Sequence, residues 1–521
     1  MIHPFNTSRI YCNLKKSWED QPLVVIMAMA VLLRLLAAIF AKGYGMMDDH
    51  FLVIEAPQSW VYGYDYDSWL PGSKDNFGPS GHNFFYPGIN FLLFTLMKWM
   101  HIYDPQVKML ILRFSLGAFS LLTVWYGYRI VETLSDKRSA TLAGSLLALC
   151  FFMPWAGVRN LVEVICIPFL MMGFWQIVKA RNTSGIFRTW FMAGLFFGLA
   201  TDFRYQAVLF PAGVFIVMLF RFKWKEMAGI VAGVICSFLL VQTMIDLIIW
   251  GYPFAEFMGY IKVNITDRNS YFNLPWYNYF LTVGGIMIPP LSLFLFYGFI
   301  RGWKRYWLLF FPAALFFAFH SYFPNKQERF ILPFIPFFIM VGVMGYYQYI
   351  APSGFWTRHQ KLLRSCWMFF WVVNLLLLAG LTFMYSKRAQ VESMYYLSKY
   401  PYVKNLIIED EKGEVPMPPL FYTGKWPSYP EIHPPDTTVY QLVASIAAQP
   451  KFYHPQFILF SGDKNLQNRV ILVRKNFPLL VYETTIEPAF VDKLMHRLNK
   501  VNKANNIYIY RNREFYKTRR D

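Results

Sequence analysis

Two adjacent carboxylates open the first long polar stretch of the sequence. Asp48 and Asp49 come directly after an apolar run, and Glu55 follows in the same stretch. A carboxylate in such a position can act as a general base that takes the proton of an attacking hydroxyl. The neighbouring residues include His50, Tyr64 and Trp69. Aromatic faces beside acids suit a sugar site, but Trp and Tyr also gather at membrane–water interfaces, so residue types alone leave both readings open.

A second group of chemical interest is cationic. Lys326 and Arg329 stand three positions apart in "HSYFPNKQERFILPFIP", at the edge of an apolar run. Arg offers a planar fork to phosphate oxygens and Lys a compact charge, so the pair predicts a phosphate site. Pairing with Glu328 or with lipid headgroups is the alternative. Arg204, in "TDFRYQ", belongs to a weaker pattern and is considered only as a helper to this pair.

Two further segments carry polar and aromatic residues between apolar runs. The segment "GYIKVNITDRNSYFNLPWYNYF" contains Asn264, Trp276 and Tyr279, and "GVRNLVE" contains Arg159 and Glu163. Taken singly, each pattern is more typical of loop structure than of a binding site.

The elements that must position these residues are membrane helices. The chain has 521 residues, of which 56% are hydrophobic, 20% aromatic and only 16% charged, with a mean hydropathy of +0.30. A hydrocarbon core of ~30 Å needs about 20 apolar residues per helix. Such stretches recur, and the apolar runs are 22–41, 88–103, 108–132, 139–155, 161–178, 189–203, 206–220, 227–249, 280–300, 307–323, 331–350 and 367–385. The composition predicts a polytopic α-helical membrane protein.

Basic residues recur at every second connection between these runs. The clusters are Lys137/Arg138, Lys179/Arg181/Arg188, Arg221/Lys223/Lys225, Arg301/Lys304/Arg305 and Arg358/Lys361/Arg364. Placing them all inside predicts about 11 spans, with an interfacial helix at 88–103 and the C-terminus outside. The segments 42–88, 250–280 and 320–329 then face outwards together. Because the net charge of +19 arises mainly from these loops and the C-terminal tail, it does not indicate a nucleic-acid partner.

Composition changes after the last apolar run. The short β-rich runs "QFILF", "PLLVYE" and "NIYIY" and one amphipathic helix near 487–503 predict a small α/β domain. We therefore expect a membrane domain over 1–389 and an extracytoplasmic α/β domain over 390–521. The five Cys residues show no metal-ligand spacing. We expect no cofactor, although a divalent metal on the paired Asp residues stays open.

The motifs, in this order, resemble glycosyltransferase family 22, the GT-C mannosyltransferases of GPI-anchor and dolichol-linked glycan assembly. The segment "DDHF…E" with "YGYDYDSW" resembles the first-loop motif of that family, and "VRNLVE" its Arg-Thr-Leu-Ser-Asn-x-x-Glu element. The segment "YFNLPWYNYF" resembles its Tyr-Gly-x-x-Pro-Trp loop, and "HSYFPNKQERF" its His-Lys-Glu-x-Arg-Phe motif. The resemblance spans about residues 22–350. The chain departs from the pattern at Met46-Met47, Asp49, Asn325 and Gln327, as a divergent member of bacterial origin could.

The resemblance implies a membrane hexosyltransferase, expected to be a mannosyltransferase, with an inverting mechanism. Its donor would be a polyprenyl- or dolichyl-phosphate sugar and its acceptor a lipid-linked glycan or other extracytoplasmic glycan, among membrane lipids. Asp48 would be the base, with Asp49 as its substitute or orienter, and Lys326, Arg329 and Arg204 would bind the donor phosphate. The expected substrate-binding residues are His50, Glu55, Tyr64, Trp69, Arg159, Glu163, Asn264, Trp276, Tyr279 and Glu328. The active site would face the extracytoplasmic or lumenal side of a bacterial inner membrane or an endoplasmic reticulum membrane. A transporter or flippase for lipid-linked glycans and an inactive assembly subunit are the alternatives.

Overall fold

The computed structural model describes most of the chain. The described residues are 16–45, 47–72, 78–79, 81–179, 186–266, 273–410, 417–429, 439–498 and 504–515. The side chains of Met47, Asp48 and Val439 lie outside this description. By its internal contacts the chain divides into two units. The first unit comprises Met1–Ile39, Ser68–Ile89 and Leu112–Phe383, and the second comprises Phe40–Asp67, Asn90–Ile111 and Met384–Asp521.

Long apolar helices dominate the described residues. Six are long and apolar enough to cross a membrane: Pro22–Phe40, Pro105–Leu134, Val162–Lys179, Trp224–Ile249, Glu328–Ile350 and Gln360–Thr382. The pair Asn278–Ile286 and Leu291–Arg301 forms a further candidate bent by 120°, and Tyr205–Phe220 and Trp307–Tyr322 are shorter apolar helices. Further helices are Phe85–Trp99, Lys137–Leu149, Ile186–Phe203 and Ala255–Thr266. The prediction of a polytopic α-helical membrane protein is confirmed.

Glycine allows the helices of the first unit to approach one another closely. A Cβ added at Gly345 would lie 2.0 Å from the main-chain oxygen of Gly298, and one added at Gly233 would lie 2.2 Å from that of Phe191. Small residues at such crossings are typical of membrane bundles, where helix association depends on tight packing. Among the six candidate spans, the helix Glu328–Ile350 is the most enclosed, because 83% of its most apolar 18-residue stretch is buried. Residues at its start are therefore held by the bundle.

The second unit contains a four-stranded sheet. Its strands are β1 (Leu406–Asp410), β2 (Phe457–Ser461), β3 (Leu480–Ile486) and β4 (Ile507–Asn512), in the order β1-β2-β4-β3. Strands β1 and β2 are parallel, whereas β4 is antiparallel to both β2 and β3. Two helices of this region are Leu466–Arg474 and Phe490–Leu498. Ile458, Phe460 and Val473 are fully buried and form part of its hydrophobic core.

Short helices carry the first predicted site segment. A turn of α-helix, Met47–His50, continues through a π-helical turn, Phe51–Glu55, into the helix Ala56–Trp60. The π-helical turn is buried throughout, and such turns often occur at functional sites. Downstream, Phe85–Trp99 has 15 residues, fewer than the roughly 20 that a straight span needs. This length agrees with an interfacial helix.

Candidate active site

Two cations of the first unit share one carboxylate. Glu163 lies in the first turn of the helix Val162–Lys179, where the helix dipole favours a negative charge. Its Oε1 accepts a 2.6 Å hydrogen bond from Nη1 of Arg204 and lies 3.5 Å from Nε of Arg329. Arg204 adopts extended backbone angles between Ile186–Phe203 and Tyr205–Val208, and Arg329 starts the enclosed span. Three segments distant in sequence therefore meet at this carboxylate.

The guanidinium of Arg204 retains hydrogen-bonding capacity. Its Nε and Nη2 are buried and have no hydrogen-bond partner within the described part of the chain. The residue is only 8% exposed, so water can reach those donors poorly. An unmade hydrogen bond from a buried charged group costs about 1–3 kcal/mol or more. A ligand with anionic oxygens would remove this cost.

Lys326 belongs to the same end of the first unit. It is 2% exposed, and its Nζ donates to the main-chain oxygen of Phe323 and lies 6.0 Å from the centre of the Tyr279 ring. Burial lowers the pKa of the Lys326 ammonium below its ordinary value. The hydroxyl of Tyr279 donates to the main-chain oxygen of Gln327 at 3.0 Å, and Nε of Arg329 donates to Oε1 of Gln327 at 2.8 Å. Gln327 thus ties the segment 326–329 to Tyr279.

The balance of charge defines what this cluster can bind. Arg204, Lys326 and Arg329, which we call the cation cluster, are each less than a tenth exposed, whereas Glu163 is fully buried. Burying charge without a partner is strongly unfavourable. One carboxylate leaves the cluster with excess positive charge. The arrangement therefore fits an anion with several oxygens, such as a phosphate.

Glu163, predicted as a substrate ligand, lies beside two of these cations, Arg204 and Arg329. The side chain of Glu328 is exposed, and the carboxylate that lies 3.5 Å from Arg329 is that of Glu163. Arg329 is thus held from the neighbouring helix Val162–Lys179.

The first predicted site segment forms a separate polar cluster in the second unit. Nε2 of His50 lies 3.0 Å from Oε1 of Glu55, which also accepts the main-chain N–H of Phe421 at 3.2 Å. The His50 ring stacks between Tyr44 at 4.4 Å and Tyr422 at 5.6 Å. Both members of the pair are almost fully buried. The pair therefore fixes the turn that follows Asp48 and Asp49.

Burial sets the protonation of this pair. Desolvation lowers the pKa of His50 to about 3, with a smaller contribution from the positive charge of Lys387. Desolvation also raises the pKa of Glu55 well above its ordinary value. Both shifts favour the neutral forms, so the contact is a hydrogen bond between a carboxylic acid and a neutral imidazole. His50 and Glu55 thus stabilise the turn, and as neutral groups they contribute no charge to the binding of a substrate.

The remaining predicted residues differ in their surroundings. Asp49 is 7% exposed, and Asp48 occupies the same helical turn with a side chain outside the described set. Tyr64 is 51% exposed and lies 6.0 Å from the Trp426 ring. Trp69, in the first unit, contacts the ring of His82 edge to face at 5.3 Å. The roles of Asp48 and Asp49 stay predictions.

Three other predicted substrate residues belong to the first unit. The guanidinium of Arg159 lies 5.1 Å from the Trp155 ring. The Asn264 amide donates to the main-chain oxygen of Tyr260 at 2.8 Å, as helix residues commonly do. Trp276 is 65% exposed. None of these contacts ties the residue to the cation cluster, so their substrate roles stay predictions.

A buried polar network of the first unit was not foreseen from the sequence. Nε2 of Gln242 donates to Oε2 of Glu256 at 2.8 Å, and the same oxygen accepts the main-chain N–H of Phe84 at 3.0 Å. Asn83 donates to the main-chain oxygen of Asp202 and to Gln242. Desolvation raises the pKa of Glu256 to about 7. The network anchors residues 83–84 beside the helix that leads into Arg204.

Asp246, one of the few charged residues within an apolar run, belongs to this network. It accepts from the Gln242 amide at 3.3 Å and from the main-chain N–H of Glu256 at 3.2 Å. The second bond caps the start of the helix Ala255–Thr266. Asp246 therefore has a structural role, and the arrangement does not favour a transport site. Among the described residues, no group of three or more His, Cys, Asp or Glu side chains is placed to hold a metal ion.

The fold resembles those of several solved structures and agrees with the GT-C fold that the motifs predict. ArnT from Cupriavidus metallidurans in the apo state shares 11% identity with a TM-score of 0.60, covering 94% of this chain and 97% of that one. The structure of ArnT bound to undecaprenyl phosphate shares 12% identity with a TM-score of 0.57, covering 94% and 98%. The archaeal oligosaccharyltransferase AglB from Archaeoglobus fulgidus, in complex with an inhibitory peptide and a dolichol-phosphate, shares 10% identity with a TM-score of 0.50, covering 97% and 75%. At these identities the likeness concerns the fold.

The sequence itself gives the family. Residues 25–414 match the Alg9-like mannosyltransferase family, and the chain belongs to that family. It is an integral membrane glycosyltransferase, as the resemblance of its motifs predicts. No curated protein sequence matches it significantly.

Proposed function

We propose that this protein transfers a sugar, expected to be mannose, from a polyprenyl- or dolichyl-phosphate donor to a glycan or glycolipid acceptor outside the cytoplasm. The observation that carries the donor assignment is the cation cluster around Glu163. Two buried cations, Arg204 and Arg329, lie beside the Glu163 carboxylate, and Lys326 is buried three positions before Arg329. Two donor groups of Arg204 lack a partner in the described part of the chain. A phosphate monoanion or dianion would satisfy both the charge and the hydrogen bonds.

The donor class also agrees with the placement of the cluster. Arg329 starts a membrane helix and Arg204 separates two apolar helices. A lipid-linked phosphate resides at such a membrane boundary, whereas a nucleotide sugar approaches from water. The related fold of ArnT has been solved with undecaprenyl phosphate, which supports the same class of donor.

The reaction follows from these roles. The acceptor hydroxyl oxygen attacks the anomeric carbon as the bond from that carbon to the phosphate oxygen breaks. The proton passes to a carboxylate, proposed to be that of Asp48, and the electron pair of the broken bond remains on the lipid phosphate. Preplaced cations stabilise the charge that develops on this leaving group, often the largest single contribution to catalysis. Attack opposite the leaving group inverts the anomeric configuration.

A transfer assay with purified protein tests the proposal. Radiolabelled polyprenyl-phosphate mannose, polyprenyl-phosphate glucose and the matching nucleotide sugars are each supplied with a membrane glycolipid extract as acceptor. The proposal predicts transfer from the lipid donor and none from a nucleotide sugar. Transfer from a nucleotide sugar in the absence of the lipid would overturn it.

A further inference from the structure

A second concave site lies in the first unit, at the other end of the bundle from Arg329. It is a groove of about 860 Å³ between the helices Pro22–Phe40, Lys137–Leu149 and Gln360–Thr382, with Tyr347 on its lining. Tyr347 belongs to the same helix as Arg329, roughly 30 Å further along at ordinary helical rise. That distance is about the thickness of the hydrocarbon core. The groove and the cation cluster therefore belong to opposite leaflets.

The walls of the groove are mainly apolar. They include Met29, Leu142, Leu149, Trp371 and Leu375. Lipid tails cover any exposed apolar helix, so these walls alone do not make a site. The groove is open on one side, but the three helices that line it give it a concave shape, which distinguishes it from a convex helix surface. Its volume falls within the range of about 300–1,000 Å³ that ligand sites commonly have.

Charges of both signs line the mouth. Lys137 and Arg138 open the helix Lys137–Leu149, and Glu19, in the short helical segment before Pro22–Phe40, also lines the groove. Nζ of Lys137 donates to the main-chain oxygens of Glu19 and Asp20, at 2.8 and 3.0 Å. The Arg138 guanidinium lies 4.7 Å from the Tyr347 ring. These contacts hold Lys137 beside the main chain of Glu19 and Arg138 beside Tyr347, and all three charged residues line the groove.

We infer that this groove binds a zwitterionic aminophospholipid such as phosphatidylethanolamine. Lys137 and Arg138 would hold the phosphate, Glu19 would accept hydrogen bonds from the ammonium, and one acyl chain would lie along the apolar walls. A purely anionic lipid would meet the same cations but would place Glu19 beside its negative charge. The acid at the mouth therefore favours a headgroup that carries both charges.

Native mass spectrometry of the full-length protein tests the inference. Protein freed of copurified lipid is incubated with phosphatidylethanolamine, phosphatidylglycerol or phosphatidylcholine, and the retained lipid is counted. We expect phosphatidylethanolamine to be retained best. Because a charge-assisted hydrogen bond contributes about 1.5–3 kcal/mol, Glu19→Gln should reduce that preference roughly 10-fold or more. An unchanged preference in Glu19→Gln would overturn the assignment of the headgroup.

A variant that fills the groove separates it from ordinary annular lipid. Leu142→Trp adds bulk to a groove wall without a change of charge and should reduce phosphatidylethanolamine retention to the level of phosphatidylcholine. Leu376→Trp is the matched control, since Leu376 is 71% exposed and does not line the groove. Equal retention by both Trp variants would overturn the groove as the site. Sugar transfer by each variant verifies that it is folded.

Discussion

Arg204 donates a 2.6 Å hydrogen bond to Glu163, yet its Nε and Nη2 have no partner in the described part of the chain. A structural ion pair buried this deeply would be expected to use all its donors, because each unsatisfied one is costly. The Arg204–Glu163 pair instead leaves two donors of the guanidinium unused. This is the arrangement expected of a site that keeps a cation available for an anionic ligand. Glu163 fixes the direction of the guanidinium, and the open edge is left for the donor phosphate.

Replacing Glu163 should reveal this dependence on an anion. Glu163→Gln keeps the side-chain size but leaves Arg204 and Arg329 without their shared carboxylate. Losing one partner of a buried ion pair commonly costs about 3–5 kcal/mol, so we expect a clearly lower melting temperature. Added polyprenyl phosphate should restore much of the loss, measured by thermal unfolding in detergent. A loss that the lipid phosphate does not reduce would mean that Glu163 has only a packing role.

Arg329 should need its planar fork as well as its charge. Arg329→Lys keeps the charge but loses two-pronged binding of phosphate oxygens, so the rate of sugar transfer should fall well below that of the wild type. Arg329→Ala should fall further and bind donor more weakly. The measurement is the initial rate against donor concentration. Full turnover and unchanged donor affinity in Arg329→Ala would make this residue a headgroup anchor.

Glu55 gives the protein a pH dependence of known sign. Its pKa is raised in the folded state, so its stabilising effect is complete below the ordinary pKa of a glutamate and is lost as pH rises towards the folded value. Gln imitates the protonated acid at every pH. Relative to that of Glu55→Gln, the free energy of unfolding of the wild type should therefore fall by up to about 1.4 kcal/mol per pH unit above about pH 5.

Thermal unfolding of both proteins between about pH 5 and 8 measures this difference. His50, whose pKa is lowered to about 3, remains in both proteins. Protonation of His50 in the unfolded state destabilises both proteins as pH falls below about 6.5, the ordinary pKa of histidine. This effect therefore largely cancels when the two proteins are compared. A difference that stays constant with pH, or that changes in favour of the wild type as pH rises, would contradict a protonated Glu55.

The paired acids should differ in their contribution to the rate. A general base contributes roughly 10²–10⁴-fold, and Asp48→Asn keeps size but cannot accept the proton at neutral pH. We therefore expect a loss of that order in turnover, with normal membrane insertion and little change in donor binding. Asp49→Asn should reduce turnover less than Asp48→Asn does. The opposite ranking would make Asp49 the base, and two nearly unaffected variants would remove this segment from the chemistry.

Much of the fold follows from periodicity and length alone. Apolar runs predicted the long helices because a hydrocarbon core requires them, and three β-rich runs correspond to β2, β3 and β4. The strand β1 was not predicted. Its sequence, Leu406–Asp410, is short and ends in two acids, so no alternation of polar and apolar residues distinguishes it.

The site was predictable in its residue types but not in its pairings. Lys326 and Arg329 were conspicuous as cations beside an apolar run, and the structure adds that Glu163 and Arg204 meet Arg329. These contacts form because helices that are far apart in sequence pack together. Arg329 lies more than a hundred residues from both Glu163 and Arg204, so no local sequence pattern could predict the contacts. The same reason applies to Glu55, whose partner Phe421 lies 366 positions away.

The most direct test of the account is the affinity of the cation cluster for lipid phosphate. Binding of polyprenyl phosphate to purified protein should weaken about 10- to 100-fold in Arg204→Gln, since charged hydrogen bonds of about 1.5–3 kcal/mol are lost. Arg221→Gln is the matched control, because Arg221 packs on the Trp307 ring away from Glu163. The account predicts a large loss in the first variant and wild-type binding in the second. Equal affinities in wild type and Arg204→Gln would contradict it.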